Sequence, residues 1–433
     1  MKKRFILIFA IAFIVAAVLP SCRKEDNEVF DKSATERLED MLEEVRDILT
    51  GSENGWVMKY YIGDAQSGGG YTYTIRFTDN DAEIGFEFAN TAFGYEVDRT
   101  ITSLYKIGDD NGPVLSFDTY NDYMHYFSTP STSHYQALGG DFEFEIRSVS
   151  PERIEMIGRR SRNVITLEPL DRSGAEFIAG VVNVANNFIP YYLSGKIGST
   201  AVEGTVDYSS RQLNLTADGE VVKRAFCFTD EGISLYHPLA IGGVSVQDMA
   251  YDLETMKLTA SSVEIQGSVP SDWIPYADYE GSYELYYAGG FTANVELVQD
   301  VYNSTYKMTG LNQNFDLTLQ YNMQKGKLEL KSQLIGNAEG YPIYFCAWAL
   351  DDGGSVTWAP EAGMHTVWNG DKENPVYTFE SNGYTWRTAS GAKCSTDSFI
   401  LFAIGDDIFY FDRASWGTNG YAQWPYIETL TKK

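Results

Sequence analysis

The sequence predicts a mainly β protein led by an amphipathic helix, with an α+β first half and an antiparallel β-sandwich or barrel at the C-terminal end. Three observations predict it. Apolar and polar residues alternate with a period of two along much of the chain, as in Tyr71, Tyr73, Ile75 and Phe77 against Thr72, Thr74 and Arg76. Turn-forming pairs rich in Gly, Asn and Asp punctuate these runs at hairpin spacing. The clearest apolar repeat of three and four residues is confined to one stretch near the start, residues 33–50. Aromatic residues make up 14% of the chain, 30 of them Tyr, which fits large aromatic cores or carbohydrate-facing surfaces and is foreign to disorder.

Taken in order, the chain opens with Lys2, Lys3 and Arg4, then an apolar run from Phe5 to Val18. That run is too short to span a bilayer and fits the core of an export signal over residues 1–21. Leu19-Pro20-Ser21-Cys22 resembles the lipobox of bacterial lipoproteins, which implies cleavage before Cys22 and acylation of that residue. Several acyl chains at about 0.8 kcal/mol per buried CH₂ would hold the chain on a membrane. Lys24-Glu25-Asp26 resembles the export tag of surface lipoproteins in the Bacteroidota. The expected address is therefore the outer membrane, lipid-anchored and facing the cell exterior, with residues 22–31 as an acidic tether.

Ser33 and Glu36 form a capping box for the first helix. Leu38, Met41, Leu42, Val45, Ile48 and Leu49 line one face of it, and Gly51 offers a left-handed stop. Alternating strands then fill a helix-plus-β unit spanning 32–170. A second α+β unit, 171–277, begins with a weaker helix over Asp171–Tyr192, interrupted by Gly174 and Gly180 and ended by Pro190; it is expected to pack with the first. In the last unit, 278–433, hairpins are expected at Gly289-Gly290, Gln324-Lys325-Gly326, Asp351–Ser355, Asn382-Gly383 and Gly405-Asp406-Asp407. Tyr341–Leu350 reads as a strand buried on both faces, with Trp348 in the core. This last pattern resembles the calycin-like barrels of exported Bacteroidota lipoproteins.

Phe30-Asp31-Lys32-Ser33, Asn54-Gly55-Trp56, Gly139-Gly140-Asp141-Phe142 and Phe228-Thr229-Asp230-Glu231-Gly232 together resemble the Bacteroidota lipoprotein family catalogued as domain of unknown function 4302, up to about Ile265. The resemblance implies no catalytic residues. It implies a setting beside outer-membrane transporters that import nutrients, often glycans.

The net charge of −27 repels nucleic acid and anionic lipid. No metalloprotease, nucleophile-elbow, phosphate-loop or dinucleotide motif occurs, so no catalytic residue and no metal ligand is assigned, and no cofactor is expected. Ca²⁺ is the ion that the acidic turns Asp79/Asp81, Asp109/Asp110, Asp351/Asp352 and Asp406/Asp407 would suit, although Asp is also an ordinary turn residue. Of three cysteines beyond the anchor, Cys346 and Cys394 are the pair to expect if a disulfide forms. Arg159, Arg160 and Arg162 form a basic cluster able to grip a carboxylate, or a solvated hairpin tip. Six of eight Trp lie after residue 340. Trp358, Trp368, Trp416 and Trp424 fall in loop-like stretches, where flat indole faces suit stacking on sugar rings. The reading that follows is a surface-exposed, non-enzymatic binding or accessory lipoprotein of a nutrient-uptake system, with glycan and a transporter complex as partners. The alternatives are a hydrolase, such as a glycoside hydrolase without a recognisable motif, and a structural partner of an outer-membrane transporter.

Overall fold

The computed structural model describes residues 34–433 except 111, 132, 133 and 389. The export signal, Cys22, the tether and Ser33 lie outside the described residues. Among these, the α-helices are α1 (Ala34–Gly51), α2 (Ala89–Phe93), α3 (Asp122–His125) and α4 (Gly174–Asn187), and antiparallel strands dominate the rest.

The first sheet has nine strands, in the order Ile101–Leu104, Asp81–Phe86, Gly70–Phe77, Trp56–Tyr61, Val164–Pro169, Ile154–Gly158, Glu143–Val149, Pro113–Ser116 and Lys106–Asp109. Its two outermost strands are neighbours in sequence, joined by Tyr105 alone. One residue spans only about 7 Å between its flanking Cα atoms, so the sheet must curl until its edges meet. The chain, rather than a ladder of hydrogen bonds, crosses that seam. Tyr105 is fixed there by its hydroxyl donating to the Thr78 carbonyl at 2.8 Å and by an edge contact with Phe77. α1 touches both Lys106–Asp109 and Gly70–Phe77, and its Val45 and Leu49 enter a core rich in buried rings, among them Tyr60, Tyr73, Phe86, Phe117 and Phe144. The Trp56 indole donates to the Leu49 carbonyl at 2.8 Å, meeting one of the open carbonyls at the helix end. Gly51 is the last helical residue and does not take the left-handed stop expected of it.

The second sheet is a closed barrel of eight strands in sequence order, Tyr192–Ile197 through Val263–Ser268, with first and last paired. Period-two patterning points Leu213, Leu215, Ile233, Leu235 and Ile265 inward. α4 lies between the first sheet and this barrel, and Val181, Val184 and Ala185, with Phe188 just after, complete the barrel core.

The third sheet is another closed barrel, built from Gly281–Tyr287, Phe291–Gln299, Thr305–Thr309, Leu317–Asn322, Lys327–Lys331, Gly363–Trp368, Val376–Ser381 and Ile427–Lys432. Excursions from it form a six-stranded sheet containing Tyr341–Ala349 and Ser398–Ile404, which shares one core with the barrel. Two closed eight-stranded barrels and a curled nine-stranded sheet give the mainly β, barrel-like class that the alternation predicts.

Four local expectations change. Asn382-Gly383 does not close a hairpin: Val376–Ser381 pairs with two barrel neighbours, and Thr385–Arg387 pairs instead with Lys393–Ser395. Trp348 is half-buried, because its strand keeps alternation at that end. Cys346 and Cys394 are buried free thiols on different sheets, each facing a nearby main-chain carbonyl at 3.7 Å. Trp424 does not lie in a loop, since Gln423–Trp424 forms a two-residue strand that pairs with Ser398–Ile404.

Candidate functional site

Glu87 follows the last residue of strand Asp81–Phe86, and its main-chain N–H bonds the Thr72 carbonyl, which extends the ladder one step. Arg211 comes from the second barrel, in a tight turn after Tyr208, with a left-handed φ of 48°. Such a backbone for a non-glycine residue costs free energy and persists where the surroundings hold it. Here they do. The Arg211 Nη1 donates to Glu87 Oε1 and, at 2.7 Å, to the Gly70 carbonyl. Its guanidinium lies 4.0 Å from the Tyr71 ring centroid and 4.8 Å from that of Phe228. The two side chains are 4% and 1% exposed. Burial pushes the Glu87 carboxyl above its usual range, with Arg211 pulling the other way. Glu87 Oε1 also accepts from the Thr72 N–H at 3.0 Å, whereas Glu87 Oε2 is buried with no hydrogen-bond partner among the described residues.

This ion pair sits against a cleft of about 640 Å³ where the first sheet, the second barrel and the third barrel meet. α2 contributes Asn90 and Thr91, α4 contributes Asn186, the second barrel contributes Asp207 to Ser209, and the third contributes Tyr302 to Ser304 and Asn322 to Lys325. The volume and the position between sheets are those of small-molecule sites. The walls are tied together. Gln324 donates to the carbonyls of Pro190 at 3.0 Å and Val206 at 3.1 Å while accepting from the Tyr208 N–H at 2.9 Å. Asn303 donates to the Asn186 carbonyl. Thr72 Oγ1 donates to the Phe228 carbonyl at 2.6 Å, and Tyr61 to the Ser234 carbonyl at 3.1 Å, which joins the first sheet to the second barrel. Tyr302 stands at the cleft 58% exposed, its ring edge-on to Tyr276. Burial raises the Asp207 carboxyl, but hydrogen bonds from Ser209 and Ser210 outweigh it and hold the group below its ordinary value.

The sequence-predicted residues lie elsewhere. Trp358 is 43% exposed. Trp368 is half-buried, its indole donating to Asp371. Trp416 is half-buried with one face stacked on Phe315. Trp424 is 0% exposed and donates to Thr418; strand pairing turns its indole inward, so it offers no face to a ligand. The arginine cluster is spent on its own neighbours. Arg159 pairs with Asp110 and Glu143, Arg162 pairs with Glu145, and Arg160 donates to the Gln136 carbonyl. Carboxylates alternating along Glu143–Val149 answer two of them, which leaves the cluster ill-suited to grip a ligand anion. No group of three or more His, Cys, Asp or Glu side chains able to hold a metal is present among the described residues. Glu87, Arg211 and Tyr302 carry no motif. Glu87 between Phe86 and Phe88, a charge inside an apolar run, is the one local signal that could have marked the site.

No match was found among curated proteins. Residues 257–402 match a second family, described as Domain of unknown function (DUF4987), which takes in the last two strands of the second barrel and much of the third. The larger match, over residues 26–253, covers the whole first sheet, α4 and six strands of the second barrel, and with them Glu87, Arg211 and one wall of the cleft; the chain belongs to the family described as Domain of unknown function (DUF4302).

Proposed function

We propose that this chain is a non-enzymatic binding protein that holds a glycan in the junction cleft, displayed from a lipid anchor at Cys22 on the outer face of the outer membrane beside a nutrient transporter. The observation that carries the reading is Glu87 Oε2, a buried acceptor without a partner among the described residues, on a side chain that lines the junction cleft. Leaving such an atom unmet costs about 1–3 kcal/mol, and a sugar hydroxyl is a donor suited to meet it. The amides of Asn90, Asn186 and Asn322 add neutral donors and acceptors, and the exposed Tyr302 ring offers a face for sugar C–H groups. Binding is favoured over hydrolysis because Asp207, the second carboxylate of the cleft, has both oxygens held by serine hydroxyls, so no second free carboxylate stands opposite Glu87. Two-carboxylate hydrolysis needs a proton donor and a base or nucleophile facing the substrate.

A panel of labelled oligosaccharides offered to intact cells and to the purified protein tests site and address together. The wild type should retain a glycan in both settings. Tyr302→Ala should weaken it about tenfold, the equivalent of losing roughly 1.4 kcal/mol of stacking. Unchanged binding by Tyr302→Ala would sink the cleft assignment, turnover of the glycan would sink the non-enzymatic reading, and binding confined to purified protein would sink surface display.

A further inference from the structure

We propose that a groove of about 770 Å³ on the third barrel, sharing no residue with the junction cleft, is a second glycan site, in which the indoles of Trp273 and Trp368 carry a short neutral oligosaccharide. The groove follows from how the third barrel is entered and closed. Residues 273–279 lead from the second barrel into the third. Ile274, Tyr276 and Tyr279 enter the barrel core, while Pro275, Ala277 and Asp278 stay exposed along the groove. Trp368 ends the strand Gly363–Trp368 and shares the inward face of the buried Met364 and Thr366. At the strand end that face reaches the rim, so Trp368 packs partly on the core and partly lines the groove. Trp273 comes to the same rim. It is packed on Gly326, where a Cβ would stand 2.6 Å from Trp273 Cγ. Gly326 leads into Lys327–Lys331, the antiparallel neighbour of Gly363–Trp368, so the start of one strand and the end of the other bring both indoles to one end of the barrel.

Both rings are held before a ligand arrives. Trp273 Nε1 donates to the Met323 carbonyl at 2.7 Å, and Trp368 Nε1 to the Asp371 carbonyl at 3.2 Å. Asp371 belongs to a loop that fixes its own shape. Its Oδ1 accepts the N–H groups of Glu373 at 2.8 Å and Asn374 at 3.1 Å, and Asn369 Oδ1 accepts those of Asp371 at 3.1 Å and Val376 at 3.3 Å. With each indole N–H spent on the main chain, the ring itself is what remains for a ligand. Trp416 stacks on Phe315, whereas neither Trp273 nor Trp368 stacks on another aromatic ring among the described residues. Apolar rings fixed at a polar rim suit pyranoses, whose C–H faces are apolar and whose edges form hydrogen bonds. The charges of the groove offset one another, which favours a neutral sugar. Lys432 donates to the Asp278 carbonyl at 2.7 Å, Lys433 lies 3.8 Å from Glu284, and Lys372 is adjacent to Glu373. The volume suits roughly two or three sugar residues.

Intrinsic tryptophan fluorescence of the purified full chain, titrated with cellotetraose, xylotetraose and mannotetraose, tests the assignment. No tryptophan lines the junction cleft, so a sugar held there leaves the indole emission unmoved. In the wild type at least one tetrasaccharide should shift the emission to shorter wavelength as water leaves an indole face, with an affinity that does not fall as salt rises. Trp368→Phe should weaken that binding about tenfold. Ala277→Arg, at an exposed position on the groove, should crowd it and abolish the shift while leaving the core intact. Trp273 stays unchanged in these variants, because its N–H supports Met323, which lines the junction cleft. Tyr302→Ala should leave the shift intact, so this site stands even if the junction cleft holds no glycan. Emission unmoved by every sugar, unchanged affinity in Trp368→Phe or Ala277→Arg, or a shift lost in Tyr302→Ala would overturn the assignment.

Discussion

At the scale of the residue, Glu87 and Arg211 set the terms of the junction cleft. They are far apart in sequence and belong to different sheets, yet each is the other's charged partner in a dry setting. A buried ion pair adds little net stability, but breaking it strands a charge at about 3–5 kcal/mol. Arg211→Met should therefore destabilise the fold by roughly that amount near pH 8. The size of the loss should depend on pH, and the sign is fixed. Burial already raises the Glu87 carboxyl, and removing Arg211 raises it further. A carboxyl raised in the folded state takes up a proton more readily there than in the unfolded chain. The variant's deficit should shrink as pH falls from 8 to 5 and grow as pH rises. Urea unfolding at both values reads this, and adding Glu87→Gln should recover much of the loss. A deficit that is small at pH 8, or equal at both pH values, would show that the pair is not the buried charge couple described above.

At the scale of the element, much was legible because strand patterning and turn chemistry are local. Gly289-Gly290, Gln324-Lys325-Gly326, Asp351–Ser355 and Gly405–Asp407 all close antiparallel pairs where the sequence places them. Two of the failures share a cause, competition from partners distant in sequence. Asn382-Gly383 has good hairpin chemistry, but barrel closure claims the strand before it. Trp424 looks like a loop residue until Ser398–Ile404 pairs with its short strand. The two aromatic and charged contacts at the cleft, Tyr302 and the Glu87–Arg211 pair, depend on how three sheets meet, which no local pattern records. Closure also leaves its mark on glycine. A Cβ at Gly204 would stand 1.9 Å from the Asn214 carbonyl oxygen, where neighbouring strands approach closely, so Gly204→Ala should cost at least about 2 kcal/mol through main-chain displacement. Gly51→Ala is the control. It ends α1 with nothing within 4 Å of the added methyl, and should stabilise by about 0.5–1 kcal/mol. Urea midpoints at unchanged slope would show the contrast, and equal midpoints for the two variants would refute it.

At the scale of the molecule, the three sheets are joined by hydrogen bonds on both flanks of the cleft, and acid should loosen the whole in two stages. The first belongs to histidine. Burial is the main cause that holds His125 below its ordinary value near 6.5; its Nδ1 accepts the Asn121 N–H at 3.1 Å and its ring lies between Tyr120 and Phe142. Burial, helped by Lys327, does the same for His365 on the third barrel, against the pull of Glu380 and Glu329. A histidine depressed in the folded state is protonated first in the unfolded chain, so its stabilising share is whole above about pH 6.5 and drains as pH falls below it. The second stage belongs to depressed carboxyls such as Asp207 and Glu329, where burial is outweighed by hydrogen bonds and, for Glu329, by Lys331. Their share is lost only below about pH 4. Between the two stages the falling net charge relieves self-repulsion and works against the histidines, so the raw pH profile mixes opposing slopes. The comparison of wild type with His365→Gln isolates one of them. From pH 7 to pH 5 the thermal midpoint of the variant should fall less steeply than that of the wild type, and the two curves should run parallel below pH 4. Parallel curves over the whole range would mean that His365 charges as readily in the fold as outside it.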